Sequence, residues 1–593
     1  MIWLSRVSLF LMILDFIFMG YLAVIGFPPE IAGETIRLKN MRKPFITLVI
    51  LCLLFLVFHP QRKQKIALLK ERLTAFAGKP YAIWALAGVY GLLFLWQQLS
   101  EYYGIKINFI PFGFFDYILY YLFKGQVNFT GWLHGYYHLN NIMILLAPFW
   151  YIFKSPLFLE SIYGFLASVA VIPLYKIARE RFHEPVAQAD RQRHFEQAAD
   201  GGLGAVAAIL VAFIYLNYRY LQNVLLMNFC VEIFYPLFLF SALYCAMMDR
   251  WKSYFLCVVL GLLVKEDSFL YFSALALVVA FLPRMRKKIQ QGDAGATRFT
   301  PLTEEPRTVP VRWAAAFFTV VLSLGYFIFL TKVFVPWTGS DILERDLNNF
   351  AGHGETSSEI VRSFIQSPQL IFKVFFGDSE KIRTWVNVLS RLAFLPLASP
   401  AVLLITAPIF PLFLHHTGRD TDFVDLRFHY AAAVVPFVFI AFVFGFSNIY
   451  RRIRERRREV FLWGTGLILI LLNGGNYVTQ PVTPETLKSI QWAKRVPPGA
   501  NLVTHGHLLP YTGYREYNYY FSVPLELPEH PAHAAYSKAD YYLIDFNVDP
   551  YPMDRTYLRE KVKTLEKDPG YMLIDQEEER YLFKRKDYRG GAN

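Results

Sequence analysis

The chain has 593 residues, of which 55% are hydrophobic, 17% are aromatic and only 18% are charged, and its mean hydropathy is +0.30. A soluble protein of this length carries more charge and fewer apolar runs, so the composition excludes an ordinary soluble enzyme and indicates a multispanning membrane protein. The net charge of +13 is explained by basic loops on the cytoplasmic side of the membrane, and we expect no nucleic-acid partner.

The apolar segments predict a mainly α, polytopic bundle of about 13–14 transmembrane spans. Each segment approaches the roughly 20 apolar residues that cross a bilayer. The first segment is long and lacks a clear cleavage site, so we interpret it as a retained span rather than a signal peptide. The predicted spans are 5–27, 44–59, 81–98, 138–154, 157–176, 202–218, 231–248, 253–265, 267–283, 313–335, 384–399, 400–415, 429–447 and 460–478.

Two regions differ from this apolar pattern. Residues 284–312 are basic at first and then rich in Gly, Thr and Pro, which predicts a flexible loop. From about residue 480, short strand-like segments at 501–505, 540–546, 571–576 and 580–586 alternate with helical segments at 485–496 and 558–567. This alternation predicts a small C-terminal α/β domain over 480–593. Residues 1–80 are predicted as an additional N-terminal transmembrane hairpin.

Basic loops predict the orientation. The arginine run at 451–458, together with the basic segments 60–80, 176–200 and 284–288, is expected in the cytoplasm. Counting spans from the arginine run then places loops 99–137 and 337–383 and the C-terminal domain outside. If every predicted span from 81–98 onward crossed the membrane, the basic loop 176–200 would lie outside, which conflicts with its expected cytoplasmic location. The conflict is removed if segment 138–154 is re-entrant or does not fully cross. We expect an integral protein of a prokaryotic cell (inner) membrane.

Unusual polar residues gather on the outer side in this topology. Asp116 stands among Phe and Tyr in the aromatic stretch 108–148, which we interpret as an active-site loop. Ionisable residues at a membrane edge are functional candidates. The other candidates on this side are His134, His138, Glu232, Lys265, Glu266, Arg427 and His429.

Each candidate also has a plainer interpretation. The turn Lys265-Glu266-Asp267 is typical of a solvated hairpin tip, and a His at the end of a span is typical of an interface anchor. Asp116 is harder to explain in this way, because apolar residues surround it in the sequence. The convergence of these residues on one side is stronger evidence than any single residue.

Group transfer is the chemistry that such a set of residues supports. A carboxylate can take a proton from an acceptor hydroxyl, and Lys or Arg can hold a phosphate leaving group. The sequence has no nucleotide-binding motif, so a lipid-linked donor is the better match. The four cysteines form neither a disulfide framework nor a metal cluster. Whether a divalent cation takes part is left open, since no second carboxylate stands near Asp116 in the sequence.

Seven segments in order resemble the predicted membrane proteins of the domain-of-unknown-function family 2079, over about residues 85–450. They include FFDYILYYLFKGQ, VEIFYPLFLFSALY, LLVKEDSFLY and FHYAAAVVPF. That family is similar to the GT-C superfamily of membrane glycosyltransferases, which use polyprenyl-phosphate sugars and carry a catalytic acid in the first outside loop. The resemblance implies a GT-C-like core at 81–479 with Asp116 as the acid. The positions it matches as substrate-binding are His138, Glu232, Lys265, Glu266 and His429.

Three functions from different classes follow. The first is a glycosyltransferase with Asp116 as general base, a polyprenyl-phosphate sugar as donor, and a glycan, lipid or protein as acceptor. Lys265, with Arg427 or His429, holds the donor phosphate in this hypothesis. The second is a transporter or flippase of a lipid-linked or polar solute, which predicts an inverted repeat and a polar site at mid-depth. The third is an assembly or sensor protein whose C-terminal domain is the active part.

Overall fold

The computed structural model describes most of the chain and leaves several segments aside. The described residues are 2–25, 41–107, 114–123, 140–182, 198–281, 288–291, 297–300, 308–334, 336, 354, 357–414, 424–513, 518–521, 526, 533–550 and 553–589.

The described part consists mainly of α-helices, followed by a small sheet. The helices are α1 Ile2–Ile25, α2 Arg42–Phe58, α3 Arg62–Ala77, α4 Ala82–Tyr103, α5 Phe114–Phe123, α6 Met143–Phe153, α7 Pro156–Val169, α8 Val171–Phe182, α9 Ala198–Asn217, α10 Arg219–Leu225, α11 Phe234–Met247, α12 Trp251–Leu262, α13 Ser268–Phe281, α14 Thr308–Phe329, α15 Ser357–Gln366, α16 Gln369–Phe376, α17 Ser379–Ser390, α18 Thr406–Leu414, α19 Ala431–Arg452, α20 Glu455–Asn473, α21 Pro484–Ala493, α22 His533–Ser537 and α23 Arg555–Lys567. The strands are β1 Lys288–Gln291, β2 Thr297–Thr300, β3 Leu502–Thr504, β4 Asn518–Tyr520, β5 Tyr541–Asp545, β6 Tyr571–Glu577 and β7 Arg580–Arg585.

The predicted fold class, a mainly α polytopic bundle with a small C-terminal α/β domain, is confirmed. Among the described residues, five helices are long and apolar enough to cross a membrane: Trp3–Leu22, Ala82–Tyr103, Pro156–Phe182, Pro310–Phe334 and Ala431–Arg452. A bent pair, Gly202–Asn217 with Arg219–Leu225, makes a sixth if it counts as one span. Shorter apolar helices cover several other predicted spans, so the number of 13–14 crossings stays a prediction.

Two predicted segments have a different structure. The span predicted at 384–399 is instead the amphipathic helix α17, which carries Glu380, Lys381 and Arg383 and ends at Ser390. Ala393 and Phe394 then take left-handed backbone conformations, with φ of 50° and 56°, which break the helix. The loop predicted at 284–312 contains the antiparallel hairpin β1–β2, in which the apolar Ile289 and Phe299 stand opposite each other.

α19 is the central helix of the bundle. In its membrane-length window 89% of the residues are buried, against 11% in α1, which therefore lies at the lipid-facing periphery. α19 packs against α8, α10 and α11 and against the 3₁₀ segments Leu395–Ala398 and Pro400–Ile405. The core of the bundle therefore consists of apolar side chains around one helix that is buried on every side.

The basic segments lie together at one end of the bundle, which we call the basic face (60–80, 179–182, 249–252 and 451–459). Lys70 Nζ lies 2.7 Å from Glu459 Oε1, and the Arg451 guanidinium donates to the carbonyl oxygen of Arg181. Arg312, at the start of α14, lies 3.8 Å from Asp249. The Lys70–Glu459 and Arg451–Arg181 contacts bring together the predicted basic segments 60–80, 176–200 and 451–458, whereas residues 284–287 of the remaining segment lie outside the described residues.

The other end, which we call the site face, is held together by polar contacts between helix ends. The backbone N–H of Met41 donates to the carbonyl of Tyr477 at 3.1 Å, and Thr479 Oγ1 donates to the carbonyl of Leu22 at 3.0 Å. Asn476 Nδ2 donates to the carbonyl of Asn217 at 2.9 Å. The ends of α1, α2, α9 and α20 therefore meet on this face, where α21 and the C-terminal domain follow.

α6 begins and ends on the site face. The backbone N–H of Ile142, just before α6, donates to the carbonyl of Leu263 at 2.6 Å. Glu160, one turn into the following helix α7, accepts a hydrogen bond from the backbone N–H of Phe229 on the same face. The helix has 11 residues, which corresponds to about 16 Å, roughly half of the hydrocarbon thickness. The helix is therefore too short to cross a bilayer by itself, and the re-entrant form of segment 138–154 stays a prediction.

The C-terminal domain is a five-stranded mixed sheet in the order β4-β3-β5-β7-β6. β3 pairs in parallel with β4 and β5, whereas β7 pairs antiparallel with β5 and β6. Arg580, fully buried, lies 3.0 Å from the fully buried Asp545 and 2.6 Å from Glu485 on α21, so an ion-pair network ties the sheet to the helix that follows the bundle.

The domain also contacts the end of α4. His507 Nδ1 lies 3.0 Å from the carbonyl oxygen of Ile107, and the rings of Tyr511 and Tyr102 lie 4.7 Å apart. The Tyr511 hydroxyl donates to the carbonyl of Tyr102. The domain is therefore held by α4 as well as by the chain that leads into it.

The close approach of α19 to the 3₁₀ segment at Leu395 predicts a steric test. A Cβ added to Gly445 would lie 2.0 Å from the carbonyl oxygen of Leu395. Backbone cannot yield easily, so we expect Gly445→Ala to lower stability by about 1–3 kcal/mol, read as a lower melting temperature in detergent. The matched control is Gly464→Ala on α20, where nothing lies within 4 Å. Equal melting temperatures for the two variants would contradict this packing.

Candidate functional site

A buried ion pair forms the centre of the candidate site on the site face. Glu232 lies in the 3₁₀ turn Val231–Ile233 that precedes α11, and Lys265 lies in the turn between α12 and α13. The two residues are 7% exposed each, and Lys265 Nζ lies 2.9 Å from Glu232 Oε1. The ends of the apolar helices α11, α12 and α13 thus bring two opposite charges together, and each charge compensates the other.

Hydrogen bonds to neighbouring side chains hold the turn 265–267 in place. Ser268 Oγ donates to the carbonyl oxygen of Lys265 at 2.6 Å and lies 3.1 Å from the backbone nitrogen of Lys265. The Asp267 carboxylate accepts hydrogen bonds from the hydroxyls of Tyr235 and Tyr271, at 2.6 and 2.7 Å. The alternative that this turn is a solvated hairpin tip is therefore wrong for Lys265 and Asp267. Glu266 is half-buried.

His429 joins the ion pair, whereas Arg427 lies at its rim. His429 is in the 3₁₀ turn Phe428–Tyr430 before α19, and its Nε2 lies 3.8 Å from Glu232 Oε1. Arg427 is exposed and forms an ion pair at 3.2 Å with Asp425, which also pairs with Arg383 at 3.0 Å. The structure therefore brings Glu232, Lys265 and His429 together, with a separate, more exposed group of charges beside them.

The helix that carries Asp116 lies next to this cluster. The ring of Phe115 on α5 lies 5.4 Å from the ring of Phe229, three residues before Glu232. The side chain of Asp116 itself, and the whole of His134 and His138, lie outside the described part of the structure. The described chain resumes at Asn140, and Asn141 Nδ2 donates to the hydroxyl of Tyr326 at 2.8 Å.

Sequence reasoning missed a second buried acid at this site. Glu160 on α7 is fully buried, and its Oε1 accepts from the backbone N–H of Phe229 at 3.2 Å. The neighbouring Tyr163 hydroxyl donates to the carbonyl of Val224 at 2.6 Å and lies 3.3 Å from Cys230 Sγ. A glutamate inside an otherwise apolar segment was the available signal. Its partner is 69 residues away, so local pattern does not reveal the contact.

The arrangement offers a fixed cation in an apolar surrounding. A lysine ammonium has three donors, and Glu232 accepts from one of them. Within the described residues, the other two are available to an anion such as a phosphate. The low polarity of the surroundings strengthens such an interaction relative to water. Among the described residues, no three His, Cys, Asp or Glu side chains are arranged to hold a metal ion.

The chain matches a known protein family over most of its length. Residues 112–574, about three quarters of the chain, match the family model described as predicted membrane protein (DUF2079). The chain belongs to this family. No curated protein matches it.

The family match covers more than the resemblance noted from sequence motifs. It begins next to α5, includes Glu232, Lys265, Arg427 and His429, and extends through most of the C-terminal domain to residue 574. The C-terminal domain is thus part of the family unit, whereas α1–α4 precede it. The family description states that its members are predicted membrane proteins and names no activity.

The buried pair predicts a specific pattern in a double-mutant cycle. Glu232→Gln or Lys265→Met alone leaves one buried charge without its partner, which we expect to cost about 3–5 kcal/mol. The double variant removes both charges and is expected to recover most of that loss. Unfolding in detergent micelles measures all four proteins.

The control for the cycle is Lys252→Met, which removes an exposed lysine at the other end of α12. We expect it to change stability by less than about 0.5 kcal/mol. If the losses of the two single variants simply add in the double variant, Glu232 and Lys265 do not act as a pair.

Proposed function

We propose that the protein is an integral membrane glycosyltransferase that moves a sugar from a polyprenyl-phosphate donor to an acceptor at the site face. One observation carries the proposal: Glu232 and Lys265 form a buried ion pair at the ends of apolar helices, with the partly exposed His429 next to them and the helix that carries Asp116 beside them. A cation in this position suits a donor whose phosphate lies at the membrane surface and whose lipid tail stays in the bilayer.

The proposed reaction is a displacement at the anomeric carbon. The acceptor oxygen forms a bond to that carbon as the bond between the carbon and the phosphate oxygen breaks. Asp116, as general base, takes the acceptor proton, and the polyprenyl phosphate leaves with the electron pair. Lys265 stabilises the negative charge of the departing phosphate, with His429 on the same side and Arg427 at the rim. Glu232 orients Lys265 through their 2.9 Å contact.

The remaining candidates receive supporting roles in the proposal. Glu266 and His138 are assigned to the donor site in the proposal. Its support is that the backbone N–H of Ile142, shortly after His138 in the chain, donates to the carbonyl of Leu263, shortly before Glu266. The C-terminal domain either binds the acceptor or packs over the site. The membrane lipid is the surrounding medium, no nucleic-acid partner is expected, and the participation of a divalent cation stays open in the proposal.

A transporter or flippase is the second candidate. The described polar cluster lies at helix ends on one face, whereas a transport site is expected near mid-depth between broken helices. α6, which begins and ends on one face, is the observation that favours transport. The location of the Lys265 cluster favours transfer, because donor lipid and acceptor meet at such a face.

The direct test incubates the purified protein with labelled polyprenyl-phosphate sugars and measures transfer or hydrolysis. In Asp116→Asn the side chain keeps its size and loses its basicity, so transfer is expected to fall by roughly 10²–10⁴-fold. Donor binding is expected to persist, since the phosphate contacts lie on other residues.

Glu455→Gln is the matched control, since it neutralises an exposed acid on the basic face. It is expected to transfer at the wild-type rate. Normal transfer by a well-expressed Asp116→Asn protein would remove Asp116 from catalysis, and a protein that moves intact donor between leaflets without transfer would support the flippase.

The orientation in the proposal places the basic face in the cytoplasm and the C-terminal domain outside, in a prokaryotic inner membrane. A phosphatase active only outside the cytoplasm, fused after residue 593, is therefore expected to be active. A fluorescent reporter that folds only in the cytoplasm is expected to be dark at the same position. The opposite result would invert the topology and place the site on the cytoplasmic side.

A further inference from the structure

A cavity of about 620 Å³ lies near the basic face, at the opposite end of the bundle from Lys265. Its wall comes from α13, from the 3₁₀ segment Pro400–Ile405 and from α19, and most of the lining side chains are apolar. The polar lining residues are Arg181, Ser399 and Asn448. This volume is within the range of small-molecule binding sites.

Arg181 places a charge in this apolar wall. The residue is only 4% exposed, and its guanidinium lies 4.3 Å from the Phe444 ring. Nε donates to Ser447 Oγ at 3.3 Å, and Nη2 donates to Asn448 Oδ1 at 3.1 Å. Within the described part of the chain, no carboxylate forms an ion pair with it. Neutral partners orient the guanidinium but leave its charge uncompensated, and a buried charge without a counter-ion is costly.

The cavity opens toward the membrane rather than toward water. Phe281 is 70% exposed and Leu403 is 69% exposed, and both residues line it. Large apolar side chains exposed to this degree on a membrane protein face acyl chains. A ligand that enters from the membrane therefore contacts Phe281 and Leu403 first and the Arg181 guanidinium behind them.

We propose that this cavity binds an anionic phospholipid from the leaflet next to the basic face. The lipid phosphate accepts hydrogen bonds from the guanidinium N–H groups of Arg181 that Ser447 and Asn448 do not use, and an acyl chain lies along Leu277, Phe281 and Leu403. The site lies at the other end of the bundle from the donor site, so this inference stands without the proposed glycosyltransferase activity.

The test titrates the purified full-length protein with phosphatidylglycerol and with phosphatidylcholine of the same acyl chains, and measures the bound fraction by native mass spectrometry. The wild type is expected to bind phosphatidylglycerol at least tenfold more tightly. Arg181→Gln is expected to weaken phosphatidylglycerol binding about tenfold and to leave phosphatidylcholine binding unchanged.

Arg452→Gln is the matched control, because Arg452 is an exposed arginine on the same face and is expected to retain the wild-type affinity. Ala401→Trp adds a large side chain to the cavity wall while leaving Arg181 in the sequence. It is expected to weaken binding of both lipids, which keeps the test valid if Arg181→Gln does not fold. Equal affinities of the wild type for the two lipids, or an unchanged Arg181→Gln protein, would overturn the proposal. Displacement of the lipid by inorganic phosphate at equal concentration would also overturn it, since the site would then recognise the headgroup alone.

Discussion

A charge at the edge of an apolar bundle must have a partner, and this constraint organises the site face. Glu232 and Lys265 meet at 2.9 Å in a position where each alone would be strongly destabilising. The turn that holds Lys265 is in turn fixed by Ser268, and Asp267 beside it is satisfied by two tyrosine hydroxyls. The Lys265 ammonium is therefore held in a fixed position by its ion pair and by the hydrogen bonds of its turn.

Charged side chains are accommodated in different ways on the two faces of the bundle. On the site face, the buried acids Glu232 and Glu160 are matched with a lysine and a backbone N–H group, and the half-buried Asp267 is matched with tyrosine hydroxyls. On the basic face, Lys70 and Glu459 remain exposed to solvent, so their ion pair contributes little to stability. Arg312 and Asp249 pair in a mostly buried position on this face, and Arg181 is buried with neutral partners. Between the faces, α19 is surrounded by apolar side chains and close backbone contacts.

Sequence patterns were sufficient for most of the long apolar helices, because apolar length is a local property. The strands at 541–545, 571–577 and 580–585 were predicted for the same reason, since each alternates with a recognisable helix or turn. α17 was mistaken for part of a span because the apolar residues that follow it hide a backbone break at Ala393 and Phe394.

The candidate site was predicted in part. Glu232, Lys265 and His429 were chosen as charges in unusual places, and the structure brings these three together. Their pairing depends on contacts between residues 33 or more positions apart, which no local pattern contains. The contact of Glu160 with the backbone of Phe229 was missed for the same reason, because the two residues lie 69 positions apart. The function of Asp116 stays a prediction, since its side chain lies outside the described residues.

The contacts between the C-terminal domain and α4 have a consequence for shortened versions of the protein. The family match begins at residue 112, yet Tyr102 and Ile107 support Tyr511 and His507, and Met41 and Leu22 hold the chain that leads into the domain. A truncation at the family boundary would strip away one side of this interface and expose its apolar rings. We therefore expect a shortened protein to be more stable when it keeps the N-terminal helices, and a chimaera that exchanges the C-terminal domain between relatives to be more stable when the end of α4 is exchanged with it.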